Sequence, residues 1–271
     1  MEIVVLASGS SGNAVLFASG GDAVLVDAGL SATAIRRRLG AAGRSITEVS
    51  ALLLTHEHSD HTRGVDVLAR RDALPVWATA GTWSALESTA NGGGELESGH
   101  PVRFGGLTVL PVATVHDARE PVAVVIEDGS HRVGLCTDTG VMTPLLMERL
   151  RDCDLLLLEA NHDKDMLRHG PYPWLLKQRI SSRHGHLANH QTREALDRLI
   201  GRSLKGVVGM HLSEKNNRVR LVREVLRGCL PEAVTVETAS RTEMLLIAVN
   251  GAGVRVESRA VPPPSGRKTP A

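Results

Sequence analysis

Short apolar runs separated by Gly, Ser, Asn or Asp dominate the first half of the chain. Ile3–Leu6, Ala14–Phe17 and Ala23–Asp27 have the apolar, partly β-branched content and the turn-residue borders of strands. Ser31–Ala42 changes period: Ile35 and Leu39 stand four apart, as on one face of a helix, and Gly43 supplies a stop. Ala51–Leu54 is a wholly apolar strand that ends in a His-rich loop, and a helix is expected over Thr62–Arg71. Strands follow over Val76–Trp77, Val102–Phe104, Leu107–Val112, Val122–Glu127 and His131–Cys136, then a helix over Pro144–Leu150 and a buried strand over Asp154–Leu158.

From Asn161 to His190 the pattern breaks. Gly170, Pro171 and Pro173 interrupt it, no strand is legible, and the stretch reads as a cap-like insertion lying over a site. Regular structure resumes with a helix over Gln191–Ile200, a strand over Gly206–Met210, a helix over Val219–Arg227 and strands near Val234 and Leu245. One domain over residues 1–251 is expected. Residues 252–271 then form a strand end and a tail whose Pro262, Pro263 and Pro264, followed by Ser, Gly, Arg and Lys, have the composition of disorder. The order of strands and helices fits an α/β protein of two mixed half-sheets with helices outside.

Composition narrows the function classes. Phe 2, Tyr 1 and Trp 3 leave too few aromatics for a stacked platform of the kind that binds single-stranded nucleic acid. A formal charge of +1 gives no global field toward a polyanion, so nucleic-acid binding has to rest on local clusters of Arg and Lys. Cys136, Cys153 and Cys229 are odd in number and widely spaced, which fits reduced thiols rather than disulfides or a zinc finger. No uninterrupted apolar stretch reaches the roughly 18 residues of a membrane span, and no signal-peptide pattern opens the chain. The expected location is the cytoplasm.

The segment Thr55-His56-Glu57-His58-Ser59-Asp60-His61 places four candidate metal ligands just after a buried strand. His56 and His58, two apart in an extended loop, can face one ion, while Asp60 and His61 can turn toward a second. Imidazole and carboxylate together suit zinc, manganese or iron in a hydrolytic centre. A solvated His-rich loop is the alternative, yet further candidates stand at other strand ends: His116, Asp138 and His211, each leading into a polar or Gly-containing turn.

Asp27, the His56–His61 loop, His116, Asp138 and His211 resemble the five motifs of the metallo-β-lactamase superfamily, in order, over roughly residues 1–250. The resemblance implies a four-layer αββα sandwich and two divalent cations. His56, His58 and His116 would hold one ion, and Asp60, His61 and His211 the other, with Asp138 between them and Asp27 orienting the histidine loop. It also implies a metal-bridging hydroxide as nucleophile, with Asp60 and Asp138 as catalytic carboxylates.

Several segments resemble the WalJ (YycJ) branch more closely. They are Ser8-Gly9-Ser10-Ser11-Gly12-Asn13, Glu159-Ala160-Asn161-His162-Asp163, Gly170-Pro171-Tyr172-Pro173 with Leu176–Ile180, Gly185-His186-Leu187-Ala188-Asn189 and His211–Asn217. That branch implies a DNA exonuclease working 5′ to 3′ on duplex ends. Ala188 departs from it, Ser being expected there, and a lost hydroxyl would remove one phosphate contact.

The residues are compatible with a phosphodiester. Ser8–Asn13 is either a plain turn or a loop whose N–H groups, with Ser10, Ser11 and Asn13, cradle a phosphate. Lys164, Arg168, Lys177, Arg179 and Arg183, and then Lys215, Arg218, Arg220 and Arg223, are solvated faces or backbone contacts; beside metals the second reading is preferred, with weak sequence preference. Lys177, Arg179, Asn161, Asn189 and Ser213 are therefore candidate substrate contacts, and His186 a candidate proton donor. His162 either faces the metals or is structural. His100, His131 and Arg36–Arg38 read as surface groups. An RNA-processing nuclease, or an ester, lactone or thioester hydrolase, is the alternative at the same metals. A di-iron redox protein lacks its partner domain here, and a turnover-free scaffold does not explain a complete ligand set. No membrane and no protein partner is expected.

Overall fold

The computed structural model describes residues 1–86, 92–201, 203–240 and 242–263. Within them two mixed sheets lie face to face. The first, of eight strands, has the order β15-β14-β1-β2-β3-β4-β5-β6, where β1 is Glu2–Ala7, β2 Ala14–Ser19, β3 Asp22–Val26, β4 Ala51–Leu53, β5 Val76–Ala78, β6 Gly94–Glu95, β14 Glu243–Asn250 and β15 Gly253–Ala260. The second, of seven strands, has the order β13-β12-β11-β10-β9-β8-β7, with β7 Val102–Phe104, β8 Leu107–Ala113, β9 Val122–Glu127, β10 Arg132–Cys136, β11 Leu155–Glu159, β12 Gly206–Met210 and β13 Thr235–Thr238.

Why so many strands are apolar at every position follows from their burial on both faces. In β1, Ile3 and Val5 point between the sheets, while Val4 and Leu6 point outward under helix α1 (Ala32–Ala41). In β11, Leu155 and Leu157 face the first sheet. Leu156 and Leu158 pack under α5 (Pro144–Leu150), α8 (Asn189–Leu199) and α9 (Val219–Arg227). The period of two thus sends alternate residues to two different cores. The layers run helix, sheet, sheet, helix, as the expected αββα sandwich requires. Each fully buried Leu or Ile contributes about 1.5–3 kcal/mol to this arrangement.

The expected helix over Thr62–Arg71 is two helices, α2 (Ser59–Thr62) and α3 (Val65–Arg71). The break falls at Gly64, whose N–H donates to Ala28 O at 2.7 Å and where a Cβ would stand 2.5 Å from Leu30 O. Close approach to the chain after β3 therefore ends α2. The excursion of residues 161–190 holds two short helices, α6 (Lys164–His169) and α7 (Trp174–Ile180), α4 being Ala80–Ala85. At the C-terminus, position 251 falls in the turn between β14 and β15, and β15 pairs with β14 from Gly253 to Ala260. The first sheet thus continues past the expected boundary. The tail expected to be disordered lies, from residue 264 on, outside the described residues.

Strands β3, β4 and β5 are mutually parallel, as are β10 to β13, so several carboxyl ends meet at one edge of the sandwich. In open α/β sheets that crevice is where ligands bind.

Candidate metal centre

The sequence-predicted ligands gather where strands of the two sheets run out, with Asp60 and His61 on the short helix α2 beyond β4. Asp27, Asp138 and His211 directly follow β3, β10 and β12, or come within two residues of them, and all three adopt left-handed backbone, with φ of 62°, 57° and 54°. Such conformations cost non-glycine residues on the order of 1 kcal/mol or more, and they turn each side chain sharply out of its strand.

Asp27 organises the histidine loop. Its carboxylate accepts from Thr55 N at 2.9 Å, Thr55 Oγ1 at 2.9 Å and His61 Nδ1 at 2.8 Å. Because the carboxylate only accepts, Nδ1 of His61 carries the proton and Nε2 is turned inward. His116 is set the same way: Nδ1 donates to Gly185 O at 3.0 Å, and Nε2 points to the centre, 3.9 Å from Asp138 Oδ1.

Four groups of ligand atoms result, each with all its atoms within 4.8 Å of one another. They are His56–His58–His116, Asp60–His61–His211, His56–His61–Asp138 and Asp138–Glu159–His186–His211. Asp138 is the common member of the last two. Its Oδ2 is 3.3 Å from His61 Nε2, and its Oδ1 is 3.4 Å from His211 Nδ1 and 3.6 Å from His186 Nδ1.

The residues fit divalent cations. His56 Nε2, Asp138 Oδ2 and His211 Nε2 are buried with no hydrogen-bond partner. A buried polar atom left so costs about 1–3 kcal/mol, and here all three belong to the same cluster of candidate ligands. Titration behaviour says the same. Burial alone would push the Asp138 carboxyl up, but His211 and His61 hold it well below the usual carboxylate range. Burial lowers His211, yet the nearby carboxylates of Asp138, Asp60 and Glu159, the last bonded to its Nδ1, raise it to about 10. Burial and then the neighbouring His61 push His56 well down, which leaves it a neutral ligand. The carboxylates demand positive charge at the centre; in the metal-free chain it comes from protons on His61 and His211.

Glu159 was missed as a site residue. It is fully buried, accepts from His186 Nδ1 at 2.8 Å and His211 Nδ1 at 3.1 Å, and takes Thr139 N at 3.0 Å on its other oxygen. Burial raises its carboxyl, but His186 and His211 bring it down to about 2. The signal in the sequence is an acid closing the all-apolar run Leu155–Leu158.

The expected substrate contacts divide. Ser10 and Ser11 are exposed on the loop between β1 and β2, and it is Ser8 whose Oγ accepts from His211 N, at 2.7 Å. Asn13 lies inside the centre, its Nδ2 3.0 Å from His61 Nε2 and 3.4 Å from Asp60 Oδ2. Asn161, Asn189 and Ser213 are buried and committed internally, which corrects their expected place on the substrate. Asn161 donates to His211 O at 2.9 Å, Asn189 pairs with Asn217, and Ser213 Oγ accepts from Asn216 N at 3.2 Å. Ala188 is buried at the N-cap of α8, so a serine there would cap the helix rather than touch phosphate. Lys177 and Arg179 lie on α7, where Lys177 donates to Arg168 O at 2.8 Å and Arg179 pairs with Asp117, itself 3.2 Å from His116 Nε2. His162 is buried behind the centre and pushed down to about 4, chiefly by burial.

Two sheets meeting at an edge lined with histidines and carboxylates define a metal-dependent hydrolase of the metallo-β-lactamase fold. The chain belongs to the beta-lactamase superfamily, whose domain matches residues 22–212. Among its relatives, the exodeoxyribonuclease YycJ of Bacillus anthracis is 36% identical over 240 residues, covering 86% of this chain and 90% of that protein. The exodeoxyribonuclease WalJ of Streptococcus pneumoniae is 37% identical over 236 residues, covering 84% and 88%. The resemblance to the WalJ (YycJ) branch therefore holds over most of the chain. The crystal structure of the metallo-beta-lactamase fold protein YhfI from Bacillus subtilis superposes with a TM-score of 0.70 at 19% identity, covering 90% of this chain and 98% of that one. Among the described residues, no helix is long and apolar enough to cross a membrane.

Proposed function

We propose that the chain is a DNA exonuclease that digests duplex ends from 5′ to 3′ with two divalent cations, zinc, manganese or iron. The observation that carries this reading is 36–37% identity, over most of both chains, to proteins named exodeoxyribonuclease, with the ligand groups in place here. His56, His58 and His116 hold one cation, Asp60, His61 and His211 the other, and Asp138 lies between. Divalent cations in such a centre acidify water and neutralise charge on a phosphoryl group.

The chain's own groups do the rest. Asp60 and Asp138 orient the attacking water by accepting its hydrogen bonds. His186 has its Nδ1–H fixed by Glu159, which leaves Nε2 to give a proton to the departing sugar oxygen. Burial opposes charge on His186, but Glu159 and then Asp138 raise its pKa, which favours the protonated donor. Lys164, Arg168 and Arg183, all exposed on the excursion of residues 161–190, supply phosphate contacts that read charge rather than sequence.

The test uses metal-stripped protein reloaded separately with Mn²⁺ and Zn²⁺, and end-labelled duplex DNA, matched RNA, a lactone and a thioester. Stepwise shortening of DNA from its 5′ ends is expected. Turnover of the lactone or thioester without any cut in DNA would discard the nuclease reading and keep the hydrolase.

A further inference from the structure

We propose that Trp174 and Leu175 form a stacking ledge for the terminal nucleobase of the strand being cut, an inference that rests on the nuclease reading. Large apolar side chains are buried almost everywhere in this protein. Among the described residues the exposed ones are Leu145, Trp174 and Leu175, with Trp174 69% and Leu175 78% exposed. The other two indoles are engaged elsewhere: Trp77 packs edge-on against Phe104 at 5.2 Å, and Trp83 Nε1 donates to Gly94 O. An indole and an isobutyl group left exposed at adjacent positions are apolar surface without a protein partner.

Their place says which partner. Trp174 and Leu175 open α7, and the far end of α7 is fastened to the metal centre. Arg179 pairs with Asp117 beside His116, Ile180 O accepts from His186 N at 2.9 Å, and Gly185 O accepts from His116 Nδ1. Leu175 stands one turn before Arg179 on the same helix face. Trp174 lies five residues from Arg179, about 7.5 Å along the axis at 1.5 Å per residue, roughly two base steps of a stacked strand.

The surroundings are cationic. The excursion carries Lys164, Arg168, Lys177, Arg179 and Arg183 against the acids Asp163 and Asp165, with Arg179 paired to Asp117 and Asp163 capping α6. A polyanion carrying flat apolar faces matches this combination, and a nucleic-acid strand end is that object. Pro171 and Pro173 restrict the approach to α7, so the ledge is held ready rather than formed on binding. One exposed indole is no platform for a long single strand, which agrees with the scarcity of aromatics. It suffices for one base at an end.

The test compares full-length, metal-loaded protein binding two phosphorothioate-protected duplexes, one with an ordinary 5′-terminal nucleotide and one with an abasic terminal nucleotide of the same charge. Tryptophan fluorescence is read alongside affinity. The ordinary end is expected to bind roughly 10- to 100-fold tighter and to quench emission. Trp174→Ala should erase that difference, and Trp174→Phe should keep most of it. If Trp174→Ala still prefers the ordinary end by the wild-type factor, the ledge is wrong and the nuclease reading stands. If wild-type protein binds neither duplex, both fall. Loss of self-association in Trp174→Ala at unchanged DNA affinity would instead assign the surface to a second copy of this chain, and overturn the proposal.

Discussion

Glu159 Oε1 lies 2.8 Å from His186 Nδ1, a carboxylate wholly inside the protein gripping an imidazole at the rim of the metal centre. Glu159→Gln keeps the shape and removes the charge. His186 then loses what raises its pKa, so the alkaline limb of the rate profile should move to lower pH, with turnover down about 10²- to 10⁴-fold. A pH–rate profile checks this; a purely structural Glu159 would lower the rate without moving the limb.

Asp138→Asn should abolish turnover and lower bound metal while the circular dichroism spectrum stays native, because the side chain keeps its volume. Asp27→Ala acts through His61 instead. About 10- to 100-fold in metal affinity should be lost, the usual effect of removing a carboxylate behind a ligating imidazole. Metal content after dialysis against a competing chelator separates the two.

Metal loading should expel protons. His211 and His61 are protonated in the metal-free chain, their carboxylate neighbours outweighing burial. For His211 the folded value of about 10 exceeds the unfolded value near 6.5, so its contribution to metal-free stability is complete below pH 6.5 and is lost as pH rises toward 10. Metal affinity should climb over the same window. Calorimetry in buffers of different ionisation enthalpy will show proton release at pH 7, and pH-independent binding would contradict the assigned ligands.

Ala188→Ser should stabilise the protein by about 1 kcal/mol. The backbone at 188 is already extended and precedes α8 without a side-chain cap, which is where a hydroxyl can take a free N–H. Denaturant midpoints measure it, and nuclease rate should not change.

Removing charge at Lys177 and Arg179 together should weaken DNA binding and flatten its dependence on salt by up to about 2 units of log–log slope. Arg179 is half of an ion pair with Asp117, so the observed change for that residue alone should fall below the full value. Binding titrations across a salt series give the slope.

The sequence carried the ligands because their spacing is short-range. His56, His58, Asp60 and His61 share one loop, and His116, Asp138 and His211 each end an apolar run. What it concealed depends on contacts between distant segments. Asn161 and Asn189 look like free polar side chains until β12 and α8 close over them, and their amides prove to serve His211 O and Asn217. Glu159 looks like the polar border of a strand, although the second sheet leaves it no solvent at all. The break at Gly64 follows from a neighbour thirty-odd positions away, which helical periodicity does not register.

The ligands are also divided between the two sheets: the His56–His61 loop follows β4 in one, and His116, Asp138 and His211 follow strands of the other. Neither sheet can assemble the centre alone. The first is moreover completed by β14, which pairs with β1 from the opposite end of the chain. The sheet that carries the histidine loop therefore closes its hydrogen bonding only with strands from the far end of the chain, β14 on β1 and β15 outside it.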